Sequence, residues 1–185
     1  MAELRIVAGA WRGRRIKVPP QGVRPTADRV REAWMSIVQR DVPDARVVDL
    51  CAGSGALGLE ALSRGARSCD FVEQDLRTVR VLEANIATLG AGQGARVHRE
   101  EARRFLERAA IQADAQPAWD LAFADPPYRE GIAEALADRW LAAPFATIFG
   151  VEHEATLTLP EASGAARSER RVYGDTALTF YRTTD

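Results

Sequence analysis

From residue 45 to residue 154, short apolar runs alternate with segments of helical periodicity, and this alternation constrains the fold more than any other feature of the chain. "ARVVDL", "SCDFVE", "ARVHR", "WDLAFAD" and "FATIFGVEHE" read as strands. "ALGLEALSRG", "LRTVRVLEANIATLG", "EARRFLERAAI" and "GIAEALADRWL" read as helices, the first two ended by Gly65 and Gly90. Strands separated by helices of this length lie parallel, joined by right-handed crossovers, with helices on both faces. "SERRVYGDTALTFYRT" differs, its two strands around Gly174-Asp175 predicting a closing antiparallel hairpin. The expected fold is α/β: a Rossmann-like, mostly parallel seven-stranded sheet with a C-terminal antiparallel hairpin.

Ahead of that core, "LRIVAG" and "RRIKVP" flank "AWRG" and predict a small N-terminal β-hairpin arm with little apolar content, followed by the connector "PPQGVRP". Thr26 reads as an N-cap for "ADRVREAWMSIVQ", where Val30, Ala33, Trp34, Ile37 and Val38 recur at helical spacing. The boundaries are therefore an arm over 1–25 and one domain over 26–185, a size able to bury a core. No repeat is present, and only "LPEASGAARSE" resembles a flexible linker.

Charge is uneven. Residues 1–40 hold nine basic and three acidic residues, although the whole chain carries a net charge of -1. A basic arm on a nearly neutral chain suits a phosphate backbone, with Arg12, Arg14 and Arg15 as grips; a merely solvated basic face is the alternative. No apolar run approaches the roughly 20 residues of a membrane span, and the basic N-terminus is not followed by an apolar stretch, so a cytoplasmic protein is expected. Cys51 and Cys69 lack CxxC spacing and His98 and His153 are isolated, which argues for no metal and no disulfide.

Between the first core strand and its helix lies Gly53-x-Gly55-x-x-Gly58, where glycines let the backbone approach a ligand at a helix N-terminus. Glu73, about 20 positions on, suits ribose hydroxyls. Asp49 precedes the glycines; an acid there faces a pyrophosphate badly but suits a sulfonium and an α-ammonium group, which favours S-adenosylmethionine over a dinucleotide. Glu101-Ala102 is where an adenine ring would be held, or simply where an acid stabilises a helix N-terminus.

The fourth core strand ends in Asp125-Pro126-Pro127-Tyr128. Two prolines remove two donors and fix φ, so this loop is stiff. Asp125 and the Pro126 carbonyl could accept both N–H bonds of an exocyclic amine on a nucleobase, localising its lone pair, and Tyr128 offers a face for stacking. Strands one and four flank the switch point, which brings the loop to the glycines. A paired base would have to be exposed or flipped out to reach it.

"DLCAGSGALGLEALSRGA" with "ADPPY" resembles the class I S-adenosylmethionine-dependent amino-methyltransferases, and "RIVAGAWRGRRI" with "RPTADRVREA" resembles the ribosomal small-subunit methyltransferase D family over nearly the whole chain. The resemblance implies methylation of the N2 amine of guanine-966 in 16S rRNA, within an assembled or assembling small subunit; a monomer is expected, although the residues leave oligomeric state open. It implies cofactor contacts from Asp49, Cys51, Ala52, Gly53, Ser54, Gly55, Glu73, Gln74, Glu101 and Ala102, and catalysis by Asp125, Pro126, Pro127 and Tyr128. Candidate RNA contacts are Arg5, Trp11, Arg12, Arg24, Arg29 and Arg31, with Trp11 either stacking on RNA or packing the arm onto the domain. An adenine-N6 methyltransferase acting on RNA or DNA is the alternative, since "DPPY" is shared with such enzymes. A noncatalytic RNA-binding assembly factor would need neither motif, and an NAD oxidoreductase would need hydride-handling residues that are not evident.

Overall fold

The sequence folds as the alternation requires, and the computed structural model describes residues 2–19, 27–112, 117–128 and 130–184. The first elements are β1 (Ala2–Arg5), β2 (Arg15–Val18) and α1 (Ala27–Ile37). The core follows as β3 (Arg46–Asp49), α2 (Ala56–Ser63), β4 (Ser68–Val72), α3 (Leu76–Leu89), β5 (Ala95–His98), α4 (Ala102–Gln112), β6 (Trp119–Ala124), α5 (Ile132–Ala142) and β7 (Ala146–Glu154). A hairpin, β8 (Ala166–Tyr173) and β9 (Thr176–Thr183), ends the order. Arg24, the Thr26 cap and all of the connector after Pro19 lie outside the described residues.

Seven strands form one sheet in the order β5-β4-β3-β6-β7-β9-β8, and β1-β2 form a separate two-stranded sheet. Strands β5 through β7 are parallel, whereas β9 is antiparallel to both β7 and β8. The order reverses between β3 and β6, where a ligand crevice is expected. Neighbouring residues point to opposite faces of a strand. Val47, Phe71 and Phe123 accordingly pack under α1, α2 and α3, while Val48, Val72 and Ala122 pack under α4 and α5. Two-sided burial explains why these strands read as continuous apolar runs rather than as alternation.

Local signals place the helix ends. Asp75 caps α3 by accepting from the Thr78 amide at 2.8 Å, and Gly90 stops it at φ 71°. Trp34 of α1 is fully buried, edge-on to Phe123 at 5.4 Å and Phe180 at 5.1 Å. A Cβ on Gly150 would lie 2.3 Å from its ring, so that strand position needs glycine.

Two expectations are corrected. The stretch read as a linker holds Ala166–Glu169 in β8, and it is fastened before that: Leu159 is buried, the Pro160 carbonyl accepts from Tyr181 Oη at 2.8 Å, and the Ala162 amide donates to Ser168 Oγ at 3.0 Å. Its Ala, Ser and Gly content hid contacts supplied by distant strands. The N-terminal hairpin is also less polar than expected, because Ile6 and Ile16 are 1% exposed and belong to the core under α1–α3. Its first strand ends at Arg5 rather than running to Gly9, since the Val7 and Ala8 amides donate instead to the Glu60 carboxylate at 2.9 and 3.0 Å.

Candidate active site

Register builds the site. Asp49 at the end of β3 pairs with Phe123 of β6, and the Leu50 amide donates to the Phe123 carbonyl at 2.8 Å, so the glycine loop and the Asp125 loop leave the sheet at one level. Both line a single cleft of about 900 Å³. Val18 and Pro19 of the hairpin line it too, as do Val30 and Trp34 of α1.

Asp49 is 1% exposed. One oxygen, Oδ2, accepts from the Gly58 amide at 3.1 Å, while Oδ1 is buried with no hydrogen-bond partner among the described residues. Burial pushes its carboxyl up to about 7, against the lowering effect of the Gly58 amide. Such an acceptor suits a ligand that brings its own charged donor.

The loop that follows is held from outside. Glu73 Oε2 accepts from the Gly53 amide at 3.0 Å and Oε1 from the Asp75 amide at 2.9 Å. The Ala52 amide donates to the Val72 carbonyl at 3.0 Å, and the Ser54 carbonyl accepts from Asn85 Nδ2 at 2.9 Å. Cys51 is half-buried and Gln74 exposed; burial pushes the Cys51 thiol up, so it stays protonated at neutral pH.

The three glycines serve three purposes. Gly53 has φ 53° and nothing within 4 Å of a Cβ, leaving backbone open to the cleft. Gly55 has φ 85°, and a Cβ there would meet Leu82 Cδ1 at 2.5 Å. A Cβ on Gly58 would lie 2.3 Å from Phe71. Gly55 is thus required by its left-handed backbone and its contact with α3, and Gly58 by the packing of α2 on β4. We expect Gly53→Ala to stay folded with weakened ligand affinity and Gly55→Val to lose folded protein, by thermal denaturation and calorimetry; a Gly55→Val protein as stable as the parent would contradict this assignment.

Glu101 stands both at the cleft and at the start of α4. It lines the cleft, and its carboxylate accepts from Arg103 Nε at 2.8 Å and from the Arg104 amide at 3.2 Å at the start of α4. Burial raises its carboxyl, but these donors outweigh burial and hold it below the usual range. Ala102 beside it is buried and also lines the cleft.

Across the cleft, Asp125 and Pro127 are exposed and Pro126 is buried. Tyr128 Oη donates to Glu152 Oε1 at 3.1 Å and lies 2.9 Å from Thr176 Oγ1. Burial pushes its phenol up to about 12, so the ring stays neutral. Glu152 and Thr176 were not found from sequence, because they sit on β7 and β9 with no motif around them.

The arm's cations divide. Arg14 donates to the Thr88 and Leu89 carbonyls at the end of α3, and buried Arg31 donates to the Arg5 carbonyl at 2.9 Å. Arg5, Arg12, Arg15 and Arg29 have exposed side chains, with Arg15 beside Glu3 at 3.1 Å. Trp11 is half-buried and packs against the core. Sequence reasoning also missed Glu60 and Asn85, which the structure places under the hairpin; a polar residue on the apolar stripe of each helix was the available signal. Among the described residues no group of His, Cys, Asp or Glu could hold a metal ion, and no helix is long and apolar enough to cross a membrane.

A family model described as conserved hypothetical protein 95 matches residues 4–182. The ribosomal RNA small subunit methyltransferase D of Escherichia coli K12 is 39% identical over 186 residues, covering 97% of this chain and 90% of that protein. A hypothetical protein of Thermus thermophilus superposes with a TM-score of 0.83 at 35% identity, covering 97% of this chain and 99% of that one. A T. thermophilus 16S rRNA N2 G1207 methyltransferase, solved with AdoMet and guanosine, shares the fold at a TM-score of 0.70 and 21% identity, over 100% of this chain and 50% of that one. With a match spanning residues 4–182 and 39% identity along 97% of its length, the chain belongs to the conserved hypothetical protein 95 family, together with the ribosomal RNA small subunit methyltransferases D.

Proposed function

We infer that this protein transfers a methyl group from S-adenosylmethionine to the exocyclic N2 amine of a guanine in 16S rRNA. The observation that carries this reading is the single cleft in which buried Asp49, with its unpartnered Oδ1, faces the Asp125-Pro126-Pro127-Tyr128 loop of the neighbouring strand. The homologues named for rRNA methylation supply the substrate class.

Bound S-adenosylmethionine supplies an electrophilic methyl group on a sulfonium. Asp49 Oδ1 is the acceptor for its α-ammonium group. Each Glu73 oxygen, already holding one backbone amide, keeps a lone pair for a ribose hydroxyl. Glu101 and Ala102 border the adenine. On the other wall, Asp125 accepts one N–H of the guanine amine and the Pro126 carbonyl accepts the other. This localises the nitrogen lone pair and aims it in line with the carbon–sulfur bond. Transfer would form the N–C bond as the carbon–sulfur bond breaks, its electron pair going to the thioether sulfur of S-adenosylhomocysteine, and Asp125 would take the proton the nitrogen must lose. Tyr128, oriented by Glu152 and Thr176, stacks on the base.

The exposed hairpin cations grip RNA phosphates, and the chain acts as a cytoplasmic monomer on rRNA within an assembled or assembling small subunit. The decisive experiment is methyl transfer from labelled S-adenosylmethionine to rRNA, naked and in subunits, taken from a strain lacking this activity, with nucleoside analysis. We expect N2-methylguanosine. N6-methyladenosine as the sole product would establish the alternative, and no transfer at all would leave a binding protein.

Asp49 makes affinity depend on pH. Its folded carboxyl titrates near 7, against an ordinary 3.8, so it is largely neutral at pH 6 and charged at pH 8. An α-ammonium favours the charged form, so binding releases a proton, and affinity should rise with pH by up to about tenfold per unit below that pKa. The sign for the ligand-free fold is opposite: the native state binds more protons than the unfolded chain between the two values, so stability falls as pH rises from about 4 to 7. Calorimetry in buffers of different ionisation enthalpy measures the proton release, and Asp49→Asn should abolish it.

A further inference from the structure

We propose that Asn85 is a positioning residue that locks the N-terminal hairpin to the cofactor loop, making RNA and S-adenosylmethionine binding cooperative. The inference rests on the functional reading above for the identity of the two ligands.

Asn85 is 2% exposed and sits among Leu82, Ile86 and Leu89 on the apolar stripe of α3. A carboxamide there is tolerated only if its groups are satisfied, and three bonds satisfy it. Oδ1 accepts from the Lys17 amide at 2.8 Å, and Nδ2 donates to the Lys17 carbonyl at 2.8 Å. The second Nδ2 proton goes to the Ser54 carbonyl at 2.9 Å. The two bonds to Lys17 imitate a strand partner, so the side chain serves β2 as an extra edge. Lys17 lies opposite Glu3 in the hairpin, and its backbone polar groups turn away from β1 toward Asn85.

Ser54 stands between Gly53 and Gly55, both at positive φ, in the segment that borders the cleft. Val18 and Pro19, the residues after Lys17, border the same cleft. One small planar group therefore holds the RNA arm with one edge and the cofactor loop with the other. Any displacement of Lys17 must break two hydrogen bonds or drag Ser54 with it. RNA bound to the hairpin and ligand bound to the loop both favour the bridged arrangement, and by linkage each tightens the other by the same factor.

The test measures S-adenosylhomocysteine affinity by calorimetry, with and without a 16S rRNA transcript, and transcript affinity with and without S-adenosylhomocysteine. In the parent protein each ligand should tighten the other by the same factor, about fivefold or more. Asn85→Asp keeps the acceptor for Lys17 but loses both donated bonds, and its coupling factor should fall to about one. A folded Asn85→Asp protein with the parent's coupling overturns the proposal. Should that variant fail to fold, hydrogen exchange on the parent decides. S-adenosylhomocysteine alone should slow exchange of the Lys17 amide, and RNA alone should slow exchange over Gly53–Gly55. Protection confined to each ligand's own site overturns the coupling. Both ligands binding independently defeats only this proposal, whereas failure of either to bind defeats the functional reading as well.

Discussion

Asp125→Ala should lower the rate of methyl transfer by roughly 10²–10⁴-fold while S-adenosylmethionine affinity changes little. Asp125 is exposed just after β6, across the cleft from buried Asp49 and from Glu73, which holds the Gly53 amide. Its carboxylate matters most as the nitrogen becomes cationic, which makes it an interaction of the transition state rather than of the ground state. Asp125→Asn should recover only part of the rate, because its amide oxygen still accepts an N–H but carries no negative charge and cannot take the proton. Single-turnover transfer beside calorimetric affinity separates the effects. Parallel losses in both would assign Asp125 to cofactor binding or folding instead.

Glu60→Leu should destabilise the protein by about 3–5 kcal/mol, although Glu60 does not line the cleft. The carboxylate is fully buried in α2, accepting from the Val7 and Ala8 amides and from Arg64 Nε at 2.9 Å. Leucine fills similar space but leaves a guanidinium and two amides without their acceptor. One helical turn on, Ser63 continues the attachment: its Oγ donates to the Ala8 carbonyl at 2.6 Å and accepts from the Trp11 amide at 3.0 Å. Gly9 lies against the Ser63 backbone so closely that a Cβ would come within 1.7 Å of its carbonyl oxygen. The urea midpoint reports the global loss, and hydrogen exchange over residues 2–19 reports local release of the hairpin. A variant within about 1 kcal/mol of the parent, with unchanged exchange, would show that the attachment does not depend on Glu60.

These two residues mark what can be read in advance. Strand and helix order, the parallel sheet, its closing hairpin and the meeting of the glycine loop with the Asp125 loop all follow from local periodicity and a topological rule, and β3 beside β6 is the observed result. Glu60, Ser63 and Asn85 act across more than fifty residues of chain, and no local window shows such contacts. Their residue types are visible as polar interruptions of apolar stripes. What each bonds is not, because that depends on where the hairpin docks. Gly55 reads in the sequence as room for a ligand, but its neighbour is Leu82 of α3, a packing partner that appears only when the helices are laid on the sheet. The arm reads as a separate cationic appendage, yet Arg14 and Arg31 hold it down and Val18 borders the cleft.

The strand order carries a consequence for synthesis. β9 lies between β7 and β8, so the last of the described strands in chain order is an interior strand of the sheet. While the polypeptide is being made, β7 must wait with an unpaired edge until residues 176–183 emerge to fill the gap. The hydroxyl of Thr176, which helps hold Tyr128, arrives with that strand. A nascent chain can therefore assemble the Asp49 side of the cleft well before the Tyr128 side is fixed, and activity begins only once residues 176–183 have emerged and paired.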